Sequence, residues 1–125
     1  IKNVDSKSIF QISNEVNELA SLAKTRKLKV DQLKGATFTI SSLSGIGGKY
    51  FTPIINPPEV GILGLSKTYD SLSMIDKNII TLKQLPISLS YDHRVINGAY
   101  AAKFILELGN QLKQIDLFIR TFKES

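Results

Sequence analysis

Near the middle of the chain lies the run Val60-Gly61-Ile62-Leu63-Gly64-Leu65, which contains no polar side chain. A continuous apolar run of this length is typical of a strand that is buried on both of its faces. Such a strand requires neighbouring strands and a covering layer, more than the rest of this chain supplies. We therefore predict a sheet, and we expect part of that sheet to be missing from this chain.

Three other segments are predicted as strands. Thr37–Ile40 follows a break at Gly35 and is rich in β-branched and aromatic residues. Ile79–Leu82 and Ile87–Tyr91 are also apolar and are separated by a short stretch that ends in Pro86. The short separation predicts that these two segments form a hairpin or two neighbouring strands of one sheet.

Two helices are predicted to flank the strands. Apolar residues recur at spacings of three and four over residues 6–24, where Asp5 and Ser6 are placed to cap the helix. The same spacing begins at Gly98, after the N-cap residue Asn97, and continues for about six turns. Its apolar positions are Ala101, Ile105, Leu108, Leu112, Ile115 and Ile119. The order helix, four strands, helix predicts an α+β fold with helices packed on one face of a sheet.

Length and composition limit the classes of protein and of functional site that this chain can represent. The chain has 125 residues, enough for one domain with a core of its own, and a net charge of +5. It contains no cysteine, which excludes a disulfide framework, a thiolate metal site and a cysteine nucleophile. No apolar run approaches the roughly 18 residues of a membrane helix, and no signal-peptide pattern opens the chain, so we expect no contact with a membrane.

Positive charge is densest at Lys24, Arg26, Lys27 and Lys29. A nucleic-acid-binding surface would interleave aromatic residues with such a cluster or repeat it along a face, and this sequence does neither. Cations suit the negative pole of a helix dipole. We therefore interpret the cluster as a solvated helix end and expect no nucleic-acid partner.

The only histidine, His93, lies in Ser90-Tyr91-Asp92-His93-Arg94-Val95-Ile96-Asn97-Gly98, where a predicted strand ends and a helix begins. Junctions of this kind often carry reactive groups. An imidazole has in general a pKa of about 6.5 and can act as a general base at neutral pH. Position alone leaves open the alternative that His93 is a structural residue held by Asp92 or by the backbone.

Other reactive patterns are incomplete. The loop Gly45–Tyr50 lacks the first glycine and the Ser or Thr of a Walker A motif, so its glycines are interpreted as turn formers that also permit close backbone approach. Ser41, Ser42 and Ser44 have no Gly-x-Ser-x-Gly elbow around them, which argues against a serine nucleophile. A hydroxyl that only donates a hydrogen bond remains open.

A metal site is not predicted. The chain has one histidine and no cysteine, and its acidic residues are scattered without the spacing of metal ligands. Glu59, Asp70 and Asp76 stand singly between the predicted elements, where we interpret them as solvated charges.

Two stretches together go beyond these general patterns. Residues 35–64 include Thr37-Phe38-Thr39-Ile40-Ser41-Ser42 and Phe51-Thr52-Pro53-Ile54-Ile55-Asn56-Pro57-Pro58-Glu59, and residues 89–99 include the histidine segment. Both resemble the catalytic domain of the dihydrolipoamide acyltransferases, the core subunits of the 2-oxo acid dehydrogenase complexes. The resemblance covers almost the whole chain. It implies the fold of chloramphenicol acetyltransferase, a mixed sheet with helices packed on one face.

The resemblance also implies a reaction, which is acetyl transfer between the dihydrolipoyl thiol of a lipoyl domain and coenzyme A in the core of the pyruvate dehydrogenase complex. Coenzyme A and the lipoyl group are then substrates, and no metal takes part. The family's histidine matches His93, which takes the proton of the attacking thiol, and its oxyanion-stabilising serine matches Ser41. Asn97 stands where many members have aspartate, so we expect it to support the imidazole region without a negative charge. Asp92 and Arg94 are expected to form a structural ion pair.

An assembly is implied as well. Trimers of the family place the histidine of one subunit beside the serine of its neighbour and join into larger cores, so self-association and contacts with the other components of the complex are expected. Residues 114–120 loosely resemble the apolar tail that joins trimers, or simply end the last helix. The resemblance implies the bacterial cytoplasm, or the mitochondrial matrix if the chain is eukaryotic.

Residues 1–125 are expected to be the C-terminal half of that catalytic domain, with the lipoyl and peripheral-subunit-binding domains absent. Three interpretations stay open: part of a pyruvate-type acetyltransferase, part of the core acyltransferase of a 2-oxoglutarate or branched-chain complex, or a structural fragment that oligomerises without catalysis. The Ile54–Glu59 segment disfavours a free-standing small-molecule acetyltransferase. Exposed apolar strand edges predict that the chain associates.

Overall fold

The computed structural model describes residues 1–43 and 45–114. The chain divides into two units, Ile1–Thr37 and Phe38–Ser125. The described part of the first unit is helical, and that of the second combines strands with one helix.

The first unit is built around α1 (Ile9–Lys24). The side chain of Ser8 accepts a hydrogen bond from the Gln11 backbone N–H at 3.3 Å, and the Gln11 side chain accepts one from the Ser8 N–H at 2.8 Å. This reciprocal capping box satisfies two N–H groups at the start of the helix. The prediction that Asp5 and Ser6 cap the helix is therefore wrong, because both lie in a separate 3-10 turn. The 3-10 turns of this unit are Val4–Ser6 and Val30–Gln32.

The second unit contains five strands and one helix within the residues that the structure describes. They are β1 (Thr39–Ser42), β2 (Gly61–Leu65), β3 (Tyr69–Ile75), β4 (Asn78–Gln84), β5 (Ile87–Tyr91) and α2 (Gly98–Lys113). β1, β2 and β5 form one sheet in that order, with β1 parallel and β5 antiparallel to β2. This confirms the α+β class and the mixed sheet, although β1 begins and ends two residues later than predicted.

The central strand β2 is covered on both faces, as its sequence predicts. Its first four residues are buried. A Cβ on Gly64 would lie 2.7 Å from Cζ of Phe51, and one on Gly61 would lie 3.1 Å from Cε2 of Phe38. Residues 61 and 64 face opposite sides of the sheet, since side chains alternate along a strand. The two glycines therefore let an aromatic ring close each face of the strand.

The helix α2 packs on the face of the sheet that carries Gly61. The ring centroids of Phe38 and Phe104 lie 5.9 Å apart, and Ala101 of α2 is only 6% exposed. α2 ends at Lys113, and both its predicted continuation to Ile119 and the predicted apolar tail lie, from residue 115 onward, outside the described residues. Within residues 1–43 and 45–114, neither helix is long and apolar enough to cross a membrane.

The strands β3 and β4 form a separate antiparallel hairpin, so the predicted pairing of segments 79–82 and 87–91 is wrong. Asp76 and Lys77 make the turn of this hairpin, with φ angles of 49° and 65°. A two-residue hairpin turn commonly requires such a left-handed backbone. The link between β4 and β5 ends in Pro86, whose ring fixes φ at about −65°, so it does not suit that turn.

The sequence prediction omitted β3. Residues 71–74 alternate between serine and an apolar residue, a pattern typical of a half-exposed strand. Lys83 on β4 donates a hydrogen bond from Nζ to Oδ1 of Asp70 at 2.9 Å. Asp70 is therefore one partner of an exposed cross-strand ion pair rather than a lone loop charge, whereas Asp76 is exposed in the turn, as predicted.

Candidate functional site

His93 lies in the turn that joins β5 to α2. At the start of this turn, the Asp92 N–H donates a hydrogen bond to the Val60 carbonyl at 2.9 Å. The N–H groups of Val95 and Ile96 both donate to the Asp92 carbonyl, at 3.0 and 2.9 Å. The turn around His93 is thus closed mainly by residues within three positions of it.

An ion pair inside the turn fixes the side chain of Asp92. Arg94 donates from Nε and Nη2 to the carboxylate at 2.9 and 2.6 Å, and its backbone N–H donates to Oδ1 at 3.0 Å. The Arg94 side-chain hydrogen bonds are the main reason that the pKa of Asp92 falls to about 2. The predicted ion pair is confirmed. Because this carboxylate is engaged by Arg94, the structure does not support the alternative in which Asp92 holds the imidazole.

The imidazole of His93 is exposed and lies beside the ring of Tyr91, with ring centroids 5.6 Å apart. Its Nε2 atom lies 3.8 Å from the position that a Cβ on Gly98 would take. The missing side chain at Gly98 therefore leaves space beside this nitrogen. Within the described ranges no hydrogen bond involves the imidazole, so Nε2 is open to an incoming donor.

Asn97 caps α2, as the sequence predicts. Its Oδ1 accepts a hydrogen bond from the Tyr100 N–H at 2.8 Å, and its backbone is extended, as is usual at an N-cap. Because Oδ1 is engaged, the amide NH₂ is the group of Asn97 that can serve a contact near His93, four positions earlier in the chain.

An apolar cavity lies next to the histidine turn, between α2 and the sheet. Its volume is about 200 Å³. The lining includes Tyr91, Ile96, Val60, Leu89, Tyr100 and Phe104. Apolar walls exclude water, and electrostatic interactions beside them are stronger than in water.

Ser41 lies in β1 opposite Gly64 of β2 and is half-buried. Paired residues of neighbouring strands face the same side of a sheet, so Ser41 shares a face with Gly64. Phe51 and Pro53 cover that face, since a Cβ on Gly64 would lie 2.7 Å from Cζ of Phe51 and 3.2 Å from Cγ of Pro53. In the part of the chain that the structure describes, no side-chain hydrogen bond involves the Ser41 hydroxyl, which is therefore available as a donor.

One copy of the chain does not bring Ser41 and His93 together. Ser41 lies on the face of Gly64, whereas α2, which begins beside the imidazole, packs on the other face. Ser41 pairs with Gly64 of β2, and Gly64 pairs in turn with Ser88 of β5. Ser88 lies three residues before the end of β5. Three residues along β5 and two strand spacings separate Ser41 from the end of the strand by at least about 14 Å. His93 follows this end by two residues and lies beside Tyr91 and the start of α2, so we expect that the two side chains of one copy do not reach one small group.

Glu59 is a buried carboxylate, only 8% exposed, so the prediction of a solvated charge is wrong. The Thr39 hydroxyl donates a hydrogen bond to its Oε2 at 2.6 Å, and Nδ2 of Asn56 lies 3.4 Å from its Oε1. Sequence reasoning missed this residue because its partner is 20 positions away. The available signal was its place directly before the apolar run Val60–Leu65.

The glycines of the loop 45–50 form turns, and neither they nor the acidic residues form a further candidate site within the described residues. Gly47 and Gly48 have φ angles of 106° and 91°, and no heavy atom lies within 4 Å of a Cβ at either site, so both are turn formers but not points of close approach. Ser44 lies outside the described residues. Among residues 1–43 and 45–114, no three His, Cys, Asp or Glu side chains are grouped so that they could hold a metal ion.

The chain is similar in sequence to acetyltransferase components from two organisms. The dihydrolipoyllysine-residue acetyltransferase component of the pyruvate dehydrogenase complex from Buchnera aphidicola subsp. Acyrthosiphon pisum is 50% identical over 119 residues. The component of the same name from Azotobacter vinelandii is 53% identical over 115 residues. These matches cover 95% and 92% of this chain but only 30% and 18% of the two relatives.

Two solved structures have the same fold. The first is Azotobacter vinelandii dihydrolipoamide acetyltransferase, studied for the roles of a serine, a histidine and an asparagine in its catalytic mechanism; it is 50% identical, with a TM-score of 0.89. The second, the cubic core of the pyruvate dehydrogenase multienzyme complex, is 51% identical, with a TM-score of 0.89. Each match covers 95% of this chain and 49% of the solved chain, so this chain spans about half of each.

The part of the chain that matches a known family contains all three candidate site residues. Residues 1–120 match the model of the 2-oxoacid dehydrogenases acyltransferase (catalytic domain) family. That range contains Ser41, His93 and Asn97, and the fold agrees with the solved structures. The chain therefore belongs to the 2-oxoacid dehydrogenase acyltransferase catalytic-domain family.

Proposed function

We propose that this chain is part of an acetyltransferase that moves an acetyl group between the dihydrolipoyl thiol of a lipoyl domain and coenzyme A, in the core of a pyruvate dehydrogenase complex. The observation that carries the proposal is a shared spacing. In the Azotobacter vinelandii structure, the serine and histidine under study are 52 positions apart and the asparagine follows four positions later. Ser41, His93 and Asn97 have the same separations.

His93 is assigned the role of general base. Its Nε2 takes the proton from the attacking coenzyme A thiol as the sulfur adds to the thioester carbonyl of the acetylated lipoyl group. When the tetrahedral intermediate collapses, the bond from carbon to the lipoyl sulfur breaks and the imidazolium returns the proton to that sulfur. The open space beside Nε2 at Gly98 and the adjacent apolar cavity support this assignment.

Ser41 is assigned the role of oxyanion donor. Its hydroxyl donates a hydrogen bond to the oxygen that becomes negative when the thiolate adds to the carbonyl. A half-buried position on a covered sheet face favours this role, because a donor shielded from water stabilises developing charge more strongly than an exposed one.

Asn97 is assigned a supporting role. Its Oδ1 fixes the first turn of α2, and its amide NH₂ is available to a water or carbonyl near the imidazole. An amide supplies no negative charge, so this role is one of orientation. It does not require the carboxylate that many members of the family have at this position.

The proposed site requires two copies of the chain. In one copy, Ser41 and the helix that begins beside His93 are on different sides of the sheet, and the end of β5 is already about 14 Å from Ser41, whereas a base and an oxyanion donor must both lie within hydrogen-bond distance of one reacting thioester. We therefore propose that the serine of one copy faces the histidine of a neighbouring copy.

Exposed apolar surface supports self-association. Ile40 on β1 is 62% exposed, and Tyr100 and Leu106 on α2 are 66% and 67% exposed. Apolar surface of this kind is typical of faces that are buried in an assembly. The same surface favours a second candidate function, a scaffold that oligomerises without catalysis. We propose a trimer within a larger core for both candidates, and turnover distinguishes them.

Coenzyme A and the lipoyl group are proposed as substrates, and the other components of the complex as partners. The relatives at 50% to 53% identity are named as pyruvate dehydrogenase components, which favours acetyl over the acyl groups of the 2-oxoglutarate and branched-chain complexes. They are bacterial, which favours the cytoplasm. The chemistry needs no metal, since thiol, thioester and imidazole carry every electron pair and proton.

The test is the rate of acetyl transfer from acetyl-coenzyme A to dihydrolipoamide by the protein in its native assembly. His93→Ala removes the base, and we expect kcat to fall by about 10²–10⁴. Ser41→Ala removes the oxyanion donor, and we expect a fall of about 10²–10³. Ser73→Ala, a change of the same type at a half-buried serine of β3, is the control and leaves kcat unchanged. Full activity of His93→Ala would contradict the base assignment, and turnover by the wild type excludes the purely structural candidate.

A further inference from the structure

The carboxylate of Glu59 is buried without a cation beside it. It is 8% exposed, and none of the ion pairs among the described residues includes it. A buried charge is costly unless strong hydrogen bonds compensate for lost hydration. Its short bond is the one from the Thr39 hydroxyl, at 2.6 Å. The side-chain partners of this buried carboxylate are therefore the strand residue Thr39 and, at the longer distance of 3.4 Å, Nδ2 of Asn56.

That strand residue lies next to the proposed oxyanion donor. Thr39 and Ser41 are two positions apart in β1, so their side chains point to the same face of the sheet. β1 pairs with only one strand, β2, among the residues that the structure describes. The side-chain contact with Glu59 therefore adds to the backbone hydrogen bonds with β2 in fixing the position of β1.

The segment Phe51–Glu59 contacts this face at two points around Ser41. At one end, Phe51 lies against Gly64, which is the partner of Ser41 in the sheet. At the other end, Glu59 accepts the hydrogen bond from Thr39. The Glu59 backbone N–H also donates to the Asn56 carbonyl at 3.0 Å, which closes a turn at the base of this side chain.

We propose that Glu59 is a positioning residue for acetyl transfer: through Thr39 it sets the place and direction of the Ser41 hydroxyl. The inference rests on the proposed role of Ser41 as oxyanion donor. Such a donor must be aimed at the oxyanion before the reaction begins, and displacement of a catalytic group by about 1 Å can reduce a rate by up to about 100-fold. Glu59 is buried and hydrogen-bonded to Thr39, so we expect its effect to reach the reaction through the strand.

A purely structural role of Glu59 predicts something different. In that case loss of the Thr39 hydrogen bond lowers the amount of folded protein and reduces the activity of every variant by the same factor. A positioning role predicts that the loss matters only while the Ser41 hydroxyl is present. The two roles are therefore separated by a double-mutant cycle.

The cycle is measured as kcat for acetyl transfer from acetyl-coenzyme A to dihydrolipoamide by the protein in its native assembly. Thr39→Val removes the donor at nearly constant shape, and we expect kcat to fall roughly tenfold with KM within about twofold of wild type. In the Ser41→Ala background the same substitution is expected to leave kcat unchanged. Thr39→Ser keeps the hydroxyl and is expected to retain kcat within about twofold.

Two further variants keep the result interpretable. Glu59→Gln retains the shape and an acceptor oxygen but loses the charge, so it should lower kcat in the same direction by about threefold, again only when Ser41 is present. If the melting curve of Thr39→Val shows that this variant does not fold, Glu59→Gln takes its place in the double-mutant cycle. Thr81→Val, the same substitution at an exposed position of β4, is the matched control and leaves kcat unchanged.

Each outcome bears on the proposal. A fall in kcat that is confined to proteins with Ser41 supports it. An equal fall in both backgrounds, or no fall with either Thr39→Val or Glu59→Gln, overturns it while leaving the role of Ser41 intact. Wild-type kcat in Ser41→Ala itself overturns both this inference and the assigned role of Ser41.

Discussion

The two halves of the proposed site are built in different ways. The surroundings of Ser41 are held by contacts between residues far apart in the chain, such as Phe51 with Gly64 and Thr39 with Glu59. The turn around His93 is closed mainly by neighbours, with hydrogen bonds that span two to four positions.

This difference separates two physical tasks. An oxyanion donor must be aimed within a water-poor site, and a covered sheet face favours such aim because packed neighbours restrict its movement. A base that exchanges protons with an incoming thiol needs access, and an exposed turn with empty space beside Nε2 provides it. Variants that damage one half and spare the other can therefore test whether the halves are independent.

The largest expected effect on stability is at the serine half. Gly64→Ala places a methyl group 2.7 Å from Cζ of Phe51, a distance that forces the ring away from the sheet. We expect the free energy of unfolding to fall by about 1–3 kcal/mol, as for other overpacked cores. Denaturant unfolding measures it. Gly109→Ala in α2, where no heavy atom lies within 4 Å, is the control and should raise stability by about 0.5–1 kcal/mol. Equal stability of Gly64→Ala and wild type would show that the serine half is not tightly packed.

A smaller effect is expected at the histidine half. Asn97→Ala removes the acceptor for the Tyr100 N–H, and we expect it to lower the free energy of unfolding by about 1 kcal/mol. Asn97→Ser keeps a capping oxygen and should recover most of that loss, but it lacks the amide NH₂. Reduced kcat in both variants would assign Asn97 a role near the imidazole, whereas recovery of kcat in Asn97→Ser would reduce Asn97 to a helix cap.

The smallest effect is the pH dependence of the histidine turn. The Arg94 hydrogen bonds hold the pKa of Asp92 at about 2, below the unfolded value of about 3.9. A depressed native pKa stabilises the fold fully above the unfolded pKa, and this contribution is lost as the pH falls from about 4 through about 2. The difference in melting temperature between wild type and Asp92→Asn should thus be constant above about pH 4 and vanish near pH 2. A difference that persists unchanged at pH 2 would refute the pairing as its source.

Local order explains which features could be predicted from the sequence. The junction that carries His93, the Asn97 cap and the Asp92–Arg94 pair involve residues within a few positions of one another, and all three are as expected. The burial of β2 on both faces could also be predicted from its continuous apolar run, because a strand covered on both faces needs no polar positions.

The features that could not be predicted from the sequence depend on contacts between residues far apart in the chain. The burial of Glu59 depends on Thr39, 20 positions earlier, and the need for glycine at position 64 depends on where Phe51 lies. The pairing of β4 with β3 depends on a two-residue turn that lacks the usual Asn-Gly or Asp-Gly sequence, since Lys77 takes the second position. The separation of Ser41 from His93 follows from strand register, which no local pattern encodes.

Ser41 and His93 are proposed to act on the same thioester from two different copies of the chain. This arrangement is tested most directly by assembling Ser41→Ala chains and His93→Ala chains together and measuring acetyl transfer. If each site takes its serine and its histidine from different copies, random mixing restores about a quarter of the sites. We predict that kcat per chain rises to about a quarter of wild type, far above either variant alone. Activity that stays at the level of the separate variants would show that the serine and the histidine do not act from different copies.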